Sequence, residues 1–175
     1  MVKFNFMMKK TVLAISALLL IATSTRAQDE KFKALFMYNF AKSIEWPQTK
    51  QSGDFVIGVF GNQSIVPELN AIAEKKGVGS QSIKVKEVGS GDDVTKMHIL
   101  YVTADKSDAA DGFVGKVKGK GVVVVTDKPG LALSTSGINY IKVDGKLKYE
   151  VNEQHLAESG VKVSQQLTAL GVVVK

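Results

Sequence analysis

The sequence predicts an α/β fold, a single-domain sandwich whose mixed, mostly parallel sheet is flanked by helices and ends in a C-terminal β-hairpin followed by short helices. Two observations predict it. Wholly apolar strands such as Phe55–Phe60 alternate with helical patterns, which is typical of a parallel sheet covered on both faces. Later in the chain, two strand-like segments flank Asp144-Gly145, a dipeptide that favours a two-residue hairpin turn.

The first predicted helix covers residues 29–45. Asp29 and Glu30 place negative charge in its first turn, where the helix dipole favours it. Pro47 disfavours helical geometry at Trp46, so the helix should end near residue 45. The apolar positions at helical spacing are Phe32, Leu35, Phe36, Phe40 and Ile44, widened by Tyr38 and Ala41.

Strands and helices alternate through the middle of the chain. After the first apolar strand, Asn62 or Ser64 can cap a helix that runs to about residue 75. Residues 83–88 alternate between apolar and polar, as a half-buried strand does. The remaining predicted elements here are a strand over residues 97–102, a helix over 107–117 and a strand over 122–126.

The predicted hairpin has a defined register. With a two-residue turn, Tyr140 faces Tyr149 and Ile138 faces Val151, which collects apolar side chains on one face. A slip of one residue would mix the apolar and polar faces, so the pattern favours this register. Beyond the hairpin, the predicted elements are two short helices, capped by Asn152 and by Ser164.

The N-terminus predicts export. Residues 1–10 carry three lysines, residues 12–22 are almost wholly apolar, and the small residues Thr25 and Ala27 stand at positions −3 and −1 of a cleavage site. This apolar run is shorter than the roughly 20 residues that span a bilayer, so a cleaved signal peptide (residues 1–27) is favoured over an uncleaved anchor. Residues 28–175 then form one domain, which we expect in the periplasm without membrane insertion.

Much of the chain's net positive charge lies in this predicted signal peptide. The full sequence has 23 Lys and Arg against 17 Asp and Glu, a net charge of +6. Four of the positive charges precede residue 28, which leaves 19 lysines, no arginine, 17 acids and a net charge of +2. Without arginine, the domain lacks the guanidinium group, which binds phosphate and guanine through two parallel hydrogen bonds. Nucleic acid is therefore not expected as a partner.

Catalytic and metal-binding templates fit the sequence poorly. The chain has no cysteine, and no serine lies in a Gly-x-Ser-x-Gly elbow. His98 and His155 lack the close spacing of zinc ligands, and Asp105, Asp108 and Asp111 lack the alternate spacing of a calcium loop. We expect no catalytic residues, no cofactor and no metal ion, although acidic residues distant in sequence could still meet in space.

Aromatic residues are concentrated in the first helix and its exit. Trp46 is the only tryptophan of the chain, and one helix cannot easily hide Phe36, Tyr38 and Phe40 on a single side. Packing on the sheet accounts for most of these rings, and any that stay exposed are natural anchors for a partner. The predicted partner-binding residues are Phe36, Tyr38, Trp46 and Pro47.

Two parts of the chain resemble the YfiR/HmsC-like family of periplasmic proteins. The first motif, Lys33-Ala-Leu-Phe-Met-Tyr-Asn-Phe-Ala-Lys-Ser-Ile-Glu-Trp-Pro47, is similar to the opening signature of that family. The second motif resembles the family's C-terminal block. It comprises Ser136-Gly-Ile-Asn-Tyr-Ile, Gly145-Lys-Leu-Lys-Tyr-Glu-Val-Asn152 and Ala157-Glu-Ser-Gly-Val-Lys-Val-Ser-Gln-Gln-Leu167.

The resemblance implies an α/β sandwich and a role without catalysis. The best-known similar proteins restrain a membrane-bound diguanylate cyclase by contacting its periplasmic part, which lowers cyclic di-GMP and biofilm output. They are dimeric and in some cases disulfide-bridged, whereas redox control through a bridge cannot operate in a chain without cysteine. Other members accompany different signalling proteins. The implied partner is therefore a membrane-bound signalling protein, a diguanylate cyclase or a sensor kinase, with a homodimer as a further implication.

The sequence thus leads to an exported, non-enzymatic regulatory protein. Such a binder shifts its partner's equilibrium only by the difference in its affinity for the partner's two states. The alternative is a periplasmic small-molecule sensor that uses the crevice at the carboxyl ends of the parallel strands. An enzyme is the third choice, because no nucleophile–base pair and no clustered metal ligands support it.

Overall fold

A computed structural model of the protein describes residues 27–175. The predicted signal peptide lies outside this range except for Ala27. The helices are α1 (residues 27–43), α2 (Val66–Ala73), α3 (Ala110–Val117), α4 (Leu131–Ser134), α5 (Glu153–Glu158) and α6 (Gln165–Leu170). The strands are β1 (Ile44–Glu45), β2 (Phe55–Phe60), β3 (Gly77–Val78), β4 (Gln81–Glu87), β5 (Ile99–Val102), β6 (Val123–Thr126), β7 (Ile138–Val143), β8 (Lys146–Asn152), β9 (Lys162–Val163) and β10 (Val172–Val174).

One sheet forms the centre of the fold. Across residues 27–175 its eight strands lie in the order β10-β8-β7-β6-β5-β2-β4-β3. Neighbours are parallel from β7 through β6, β5 and β2 to β4, and β10 is parallel to β8. The hairpin β7–β8 and the pair β3–β4 are antiparallel. The predicted fold class, a mixed and mostly parallel sheet flanked by helices, is confirmed.

Helices cover both faces of this sheet. The crossovers β2–α2–β4 and β5–α3–β6 proceed in opposite directions along the sheet, so right-handed connections place α2 and α3 on opposite faces. The core on one face contains Phe40 of α1 and Leu69 of α2, and the core on the other face contains Phe113 of α3. Side chains of the central strands alternate between the two cores, as Ile99 and Leu100 of β5 do.

Helix α1 runs along the sheet from its carboxyl edge to its amino edge. Lys33, near the start of the helix, contacts Asp127, the residue that follows β6. Trp46, beyond the end of the helix, packs on Phe55, the first residue of β2. Phe40 lies between these two contacts and is fully buried. The helix is therefore held against the sheet at both ends and in the middle.

Helix α1 ends two residues earlier than the sequence predicts. Ile44 and Glu45 form β1 and pair with Val163 and Lys162 of β9 instead of adding to the helix. The proline at position 47 disfavours a helix only at the residue before it. The earlier end is decided by a strand pairing with residues far along the chain, which local pattern does not reveal.

The predicted hairpin register is confirmed. Tyr140 pairs with Tyr149 and Ile138 with Val151. Asp144 and Gly145 have φ values of 52° and 73°, as a two-residue turn of this kind requires. Several very short elements are absent from the prediction, because two to four residues carry too little hydrophobic pattern. They are β3, β9, β10 and α4.

Candidate functional site

The four predicted partner-binding residues do not form a single surface. Phe36 and Tyr38 are partly buried, pack against the core and lie on opposite flanks of α1. Trp46 is buried. Pro47 is half-buried beside Gly121, where an added Cβ would lie 2.6 Å from the proline Cγ. Phe36 and Tyr38 therefore face grooves on the surface, whereas Trp46 and Pro47 hold in place the segment that follows α1.

Trp46 belongs to the core beneath the end of α1. Its indole Nε1 donates a hydrogen bond of 2.8 Å to the carbonyl oxygen of Ala41. The ring packs edge-on against Phe55 and His98, with ring centroids 5.2 and 5.5 Å apart. Only 8 % of the residue is exposed. Trp46 therefore supports the helix exit and offers little contact area of its own.

A groove between α1 and α6, which we call the α1–α6 groove, brings the two motifs together. Its volume is about 420 Å³. Phe36 and Asn39 of the first motif line one side, and Tyr149 and Leu167 of the second motif line the other. Leu170 stands at its rim and is 72 % exposed. Residues that are far apart in sequence thus form one concave surface.

Close packing around Tyr149 builds this groove. The ring of Tyr149 meets the ring of Phe36 edge-on, with centroids 5.4 Å apart, and its hydroxyl donates a 2.9 Å hydrogen bond to the carbonyl oxygen of Leu167. A Cβ on Gly171 would lie 2.5 Å from the Tyr149 ring. Glycine at this position therefore lets the chain pass directly over the ring, which holds α6 against β8.

A second groove, the α1–α2 groove, lies on the other flank of α1. Its volume is about 280 Å³, and Leu35, Tyr38 and Ile72 form its apolar part. Lys42 places its ammonium 5.5 Å from the centre of the Tyr38 ring. Leu35 is 42 % exposed and Phe32 is 44 % exposed. The outer side of α1 thus presents large apolar side chains, and one of them, Leu35, lines the α1–α2 groove.

A mostly buried polar cluster joins α1 to the carboxyl edge of the sheet. Lys33 Nζ lies 2.8 Å from Asp127 Oδ2 and 3.2 Å from Glu30 Oε1. The hydroxyl of Tyr101 donates 2.6 Å to the same Asp127 oxygen, and that of Tyr140 donates 2.7 Å to the Lys33 carbonyl. A cavity of about 380 Å³ opens beside Lys33 and Asp127.

The cluster has defined protonation states. Burial lowers the pKa of Lys33, but the hydrogen bond and charge of Asp127, together with Glu30, outweigh burial and raise it above its ordinary value. Burial and the charge of Asp127 raise the pKa of Tyr101 far above its usual range. At neutral pH the lysine is therefore charged and the tyrosine is neutral.

Sequence reasoning missed this cluster, although two signals pointed to it. Lys33 interrupts the apolar stripe of α1, and Asp127 follows a strand that is buried along its whole length. Neither signal identifies the partner, because 94 residues separate the pair.

The two histidines have structural contacts. His98 accepts a 3.0 Å hydrogen bond from the Val56 N–H at Nδ1, so Nε2 carries the proton and donates 2.7 Å to the carbonyl oxygen of Lys50. Burial, followed by the charge of Lys50, lowers the pKa of His98. His155 is half-buried, with Nδ1 3.1 Å from the carbonyl oxygen of Ser136. In the described part of the chain, no group of three or more His, Cys, Asp or Glu side chains is placed to hold a metal ion.

Comparison with known proteins identifies a family. The chain has no significant match among curated proteins. The family model described as YfiR/HmsC-like matches residues 30–172, which include the residues named above for the α1–α6 groove and the Lys33 cluster. Within residues 27–175, no helix is both long enough and apolar enough to cross a bilayer. The match covers most of the sequence, and the chain belongs to the YfiR/HmsC-like family, whose members are periplasmic and regulatory.

Proposed function

We propose that this protein is exported by a cleaved signal peptide and acts, without catalysis, as a regulator of a membrane signalling protein. Membership of the YfiR/HmsC-like family carries the proposal, since the family is associated with periplasmic control of diguanylate cyclases. A diguanylate cyclase is the partner we propose, with lower cyclic di-GMP and less biofilm as the output. A sensor kinase is the alternative partner.

The α1–α6 groove supports this proposal as the contact surface. It is concave, it combines Phe36 and Tyr149 from the two motifs, and Leu170 at its rim is largely exposed. Exposed apolar side chains next to a groove are typical of protein interaction sites. A periplasmic segment of the partner would place apolar side chains against Phe36 and Leu170.

The four residues predicted from sequence have two kinds of role in this proposal. Phe36 and Tyr38 contact the partner, because each lines a groove beside α1. Trp46 and Pro47 contribute indirectly, by holding the exit of α1 in place. The regulator controls its partner by binding one of the partner's states more tightly, and the shift cannot exceed that difference in affinity.

A matched pair of variants tests the contact surface. Leu170→Asp places a charge at the rim of the α1–α6 groove, and Leu133→Asp places the same charge on α4, where Leu133 is 57 % exposed. Both changes are on the surface and should leave the protein folded. In cells that lack the native gene, we expect Leu133→Asp to restore low cyclic di-GMP and Leu170→Asp to fail. Equal restoration by both variants would exclude the groove as the contact surface.

The oligomeric state is tested separately. The family resemblance implies a homodimer, and sedimentation equilibrium of the mature protein measures it directly. A monomer at all accessible concentrations would contradict this part of the proposal.

A second candidate function is a small-molecule sensor. The observation that favours it is the cavity of about 380 Å³ beside Lys33 and Asp127, at the carboxyl edge where α/β proteins bind ligands. A thermal-shift screen of the purified protein with a metabolite panel tests it, since a tight ligand stabilises the folded state without any partner. A screen without any shift would leave the regulator as the sole proposal.

A further inference from the structure

Four exposed lysines lie around the apolar side chains on the outer side of α1. Lys31, Lys75 and Lys76 line the α1–α2 groove, whereas Lys42 lines the α1–α6 groove and places its ammonium over the ring of Tyr38. Within residues 27–175, none of the four forms an ion pair with an acidic side chain. Their ammonium groups are therefore free to meet a negative charge outside the protein.

The same side of the molecule presents large apolar side chains. Phe32 and Leu35 lie one turn apart on the outer side of α1 and are each more than two-fifths exposed. Three glutamates lie near the lysines: Glu68 in the groove wall, Glu74 at the end of α2, and Glu45 beside Lys42 in the α1–α6 groove. The four lysines outnumber these acids by one, so the surface combines protruding apolar groups with a small excess of positive charge.

We propose that this face of α1 and α2, the lysine face, binds peripherally to a bilayer that contains anionic lipid. The ammonium groups of Lys31, Lys42, Lys75 and Lys76 would meet lipid phosphates, while Phe32 and Leu35 enter the interfacial layer. A helix that combines apolar side chains with flanking lysines is suited to this position. The proposal deepens the proposed regulatory function, since it keeps the protein next to a membrane partner, but its test requires no partner.

The combination of these lysines with exposed Phe32 and Leu35 favours lipid over an acidic protein segment, because a bilayer offers negative headgroups and an apolar layer together. Each lysine is a compact charge on a flexible stem, which adapts to mobile headgroups. Both apolar side chains are exposed on the outer side of α1, where a bilayer surface can reach them.

Vesicle co-sedimentation of the purified mature protein tests the proposal. The probes are vesicles of phosphatidylcholine alone and of phosphatidylcholine mixed with phosphatidylglycerol, each at low and high salt. We expect binding to the anionic vesicles at low salt, weak binding to the neutral vesicles, and loss of binding at high salt because the charges are screened. No binding of the unaltered protein to anionic vesicles would overturn the proposal.

A charge-matched pair of variants locates the binding surface. Lys75→Glu with Lys76→Glu should lower the partition onto anionic vesicles by about tenfold or more. Lys146→Glu with Lys148→Glu makes the same change of net charge on exposed lysines of the β7–β8 hairpin and should leave binding nearly unchanged. Equal loss in both variants would overturn the proposal, because net charge alone would then explain binding. If the first variant loses regulation in cells although the unaltered protein does not bind vesicles, the lysine face binds an acidic protein and the lipid proposal fails.

Discussion

The ammonium of Lys33 lies 2.8 Å from Oδ2 of Asp127, a residue 94 positions further along the chain. The hydroxyl of Tyr101 donates to the same carboxylate oxygen, so the contact links α1 with two neighbouring strands of the sheet. Because α1 forms one wall of both grooves, this contact helps to set where the candidate partner surface lies relative to the rest of the protein.

Removing the carboxylate should destabilise the fold. We expect Asp127→Asn to lower the free energy of unfolding by about 3 kcal/mol, because it leaves the mostly buried ammonium of Lys33 with Glu30 as its remaining carboxylate partner. Urea denaturation measures the change. The control is Asp108→Asn, since the pair of Asp108 with Lys128 is exposed and should contribute less than about 1 kcal/mol. Similar losses in the two variants would show that the Lys33–Asp127 pair contributes no more to the free energy of unfolding than an exposed ion pair does.

The contribution of the Lys33–Asp127 pair to stability should depend on pH in a predictable way. The pKa of Lys33 is raised in the folded protein, so its stabilising contribution is complete below the unfolded pKa of about 10.4 and is lost as the pH rises through the folded value. The difference between the unaltered protein and Lys33→Met, which has no group to titrate at this position, should therefore stay constant between neutral pH and about pH 9. A difference that declines across that range would contradict the raised pKa.

Trp46 should report a buried environment and contribute strongly to stability. We expect Trp46→Ala to lower the free energy of unfolding by about 3–5 kcal/mol, since the ring is packed against Phe55 and His98. Trp46→Phe keeps a ring but loses the hydrogen bond to Ala41, so it should cost less. Fluorescence of the single tryptophan should be blue-shifted and poorly quenched by iodide. Strong quenching in the folded protein would contradict the burial of Trp46.

His98 should make the fold sensitive to mild acid. Burial lowers its pKa, so its contribution to stability is complete above the unfolded pKa of about 6.5 and is lost as the pH falls below it. Protonation would also remove the acceptor for the Val56 N–H. Below pH 6.5 we expect this residue alone to lower stability by up to about 1.4 kcal/mol per pH unit. Urea denaturation of His98→Asn should show a correspondingly flatter pH profile, and an unchanged slope would exclude His98 as the cause.

Gly171 should be needed for the α1–α6 groove. Gly171→Ala would bring a Cβ to 2.5 Å from the Tyr149 ring and 2.9 Å from Val151, so we expect a loss of about 1–3 kcal/mol and faster hydrogen exchange in α6 and β10. The control is Gly112→Ala in α3, where an added Cβ meets nothing within 4 Å and should stabilise the helix by roughly 0.5–1 kcal/mol. A Gly171→Ala protein with unchanged stability would show that the Tyr149 contact can relax.

Short-range patterns were sufficient for the fold class and the hairpin. Strands such as Phe55–Phe60 are apolar throughout because both faces are covered, and the turn at Asp144-Gly145 determines the pairing of Tyr140 with Tyr149. The same patterns do not show that α1 stops at residue 43, because β1 pairs with β9 more than a hundred residues later.

The candidate site was only partly predictable. The concentration of aromatic residues in α1 indicated that one side of the helix cannot easily hide all of them, and the structure has Phe36 and Tyr38 on different flanks. The sequence left the position of Trp46 open, and packing places it in the core. The groove opposite Phe36 depends on Tyr149 and Leu167, whose proximity arises only when α6 folds back over β8.

The α/β class, the hairpin register and the resemblance to the YfiR/HmsC-like family follow from local features of the chain, namely periodicity, turn chemistry and motifs. The contact of Lys33 with Asp127, the burial of Trp46 and the outward-facing side chains of α1 are visible only in the folded protein. These features depend on which distant segments pack together. Burial, pairing and concavity are properties of the assembled sheet and helices, and no local stretch of sequence specifies them alone.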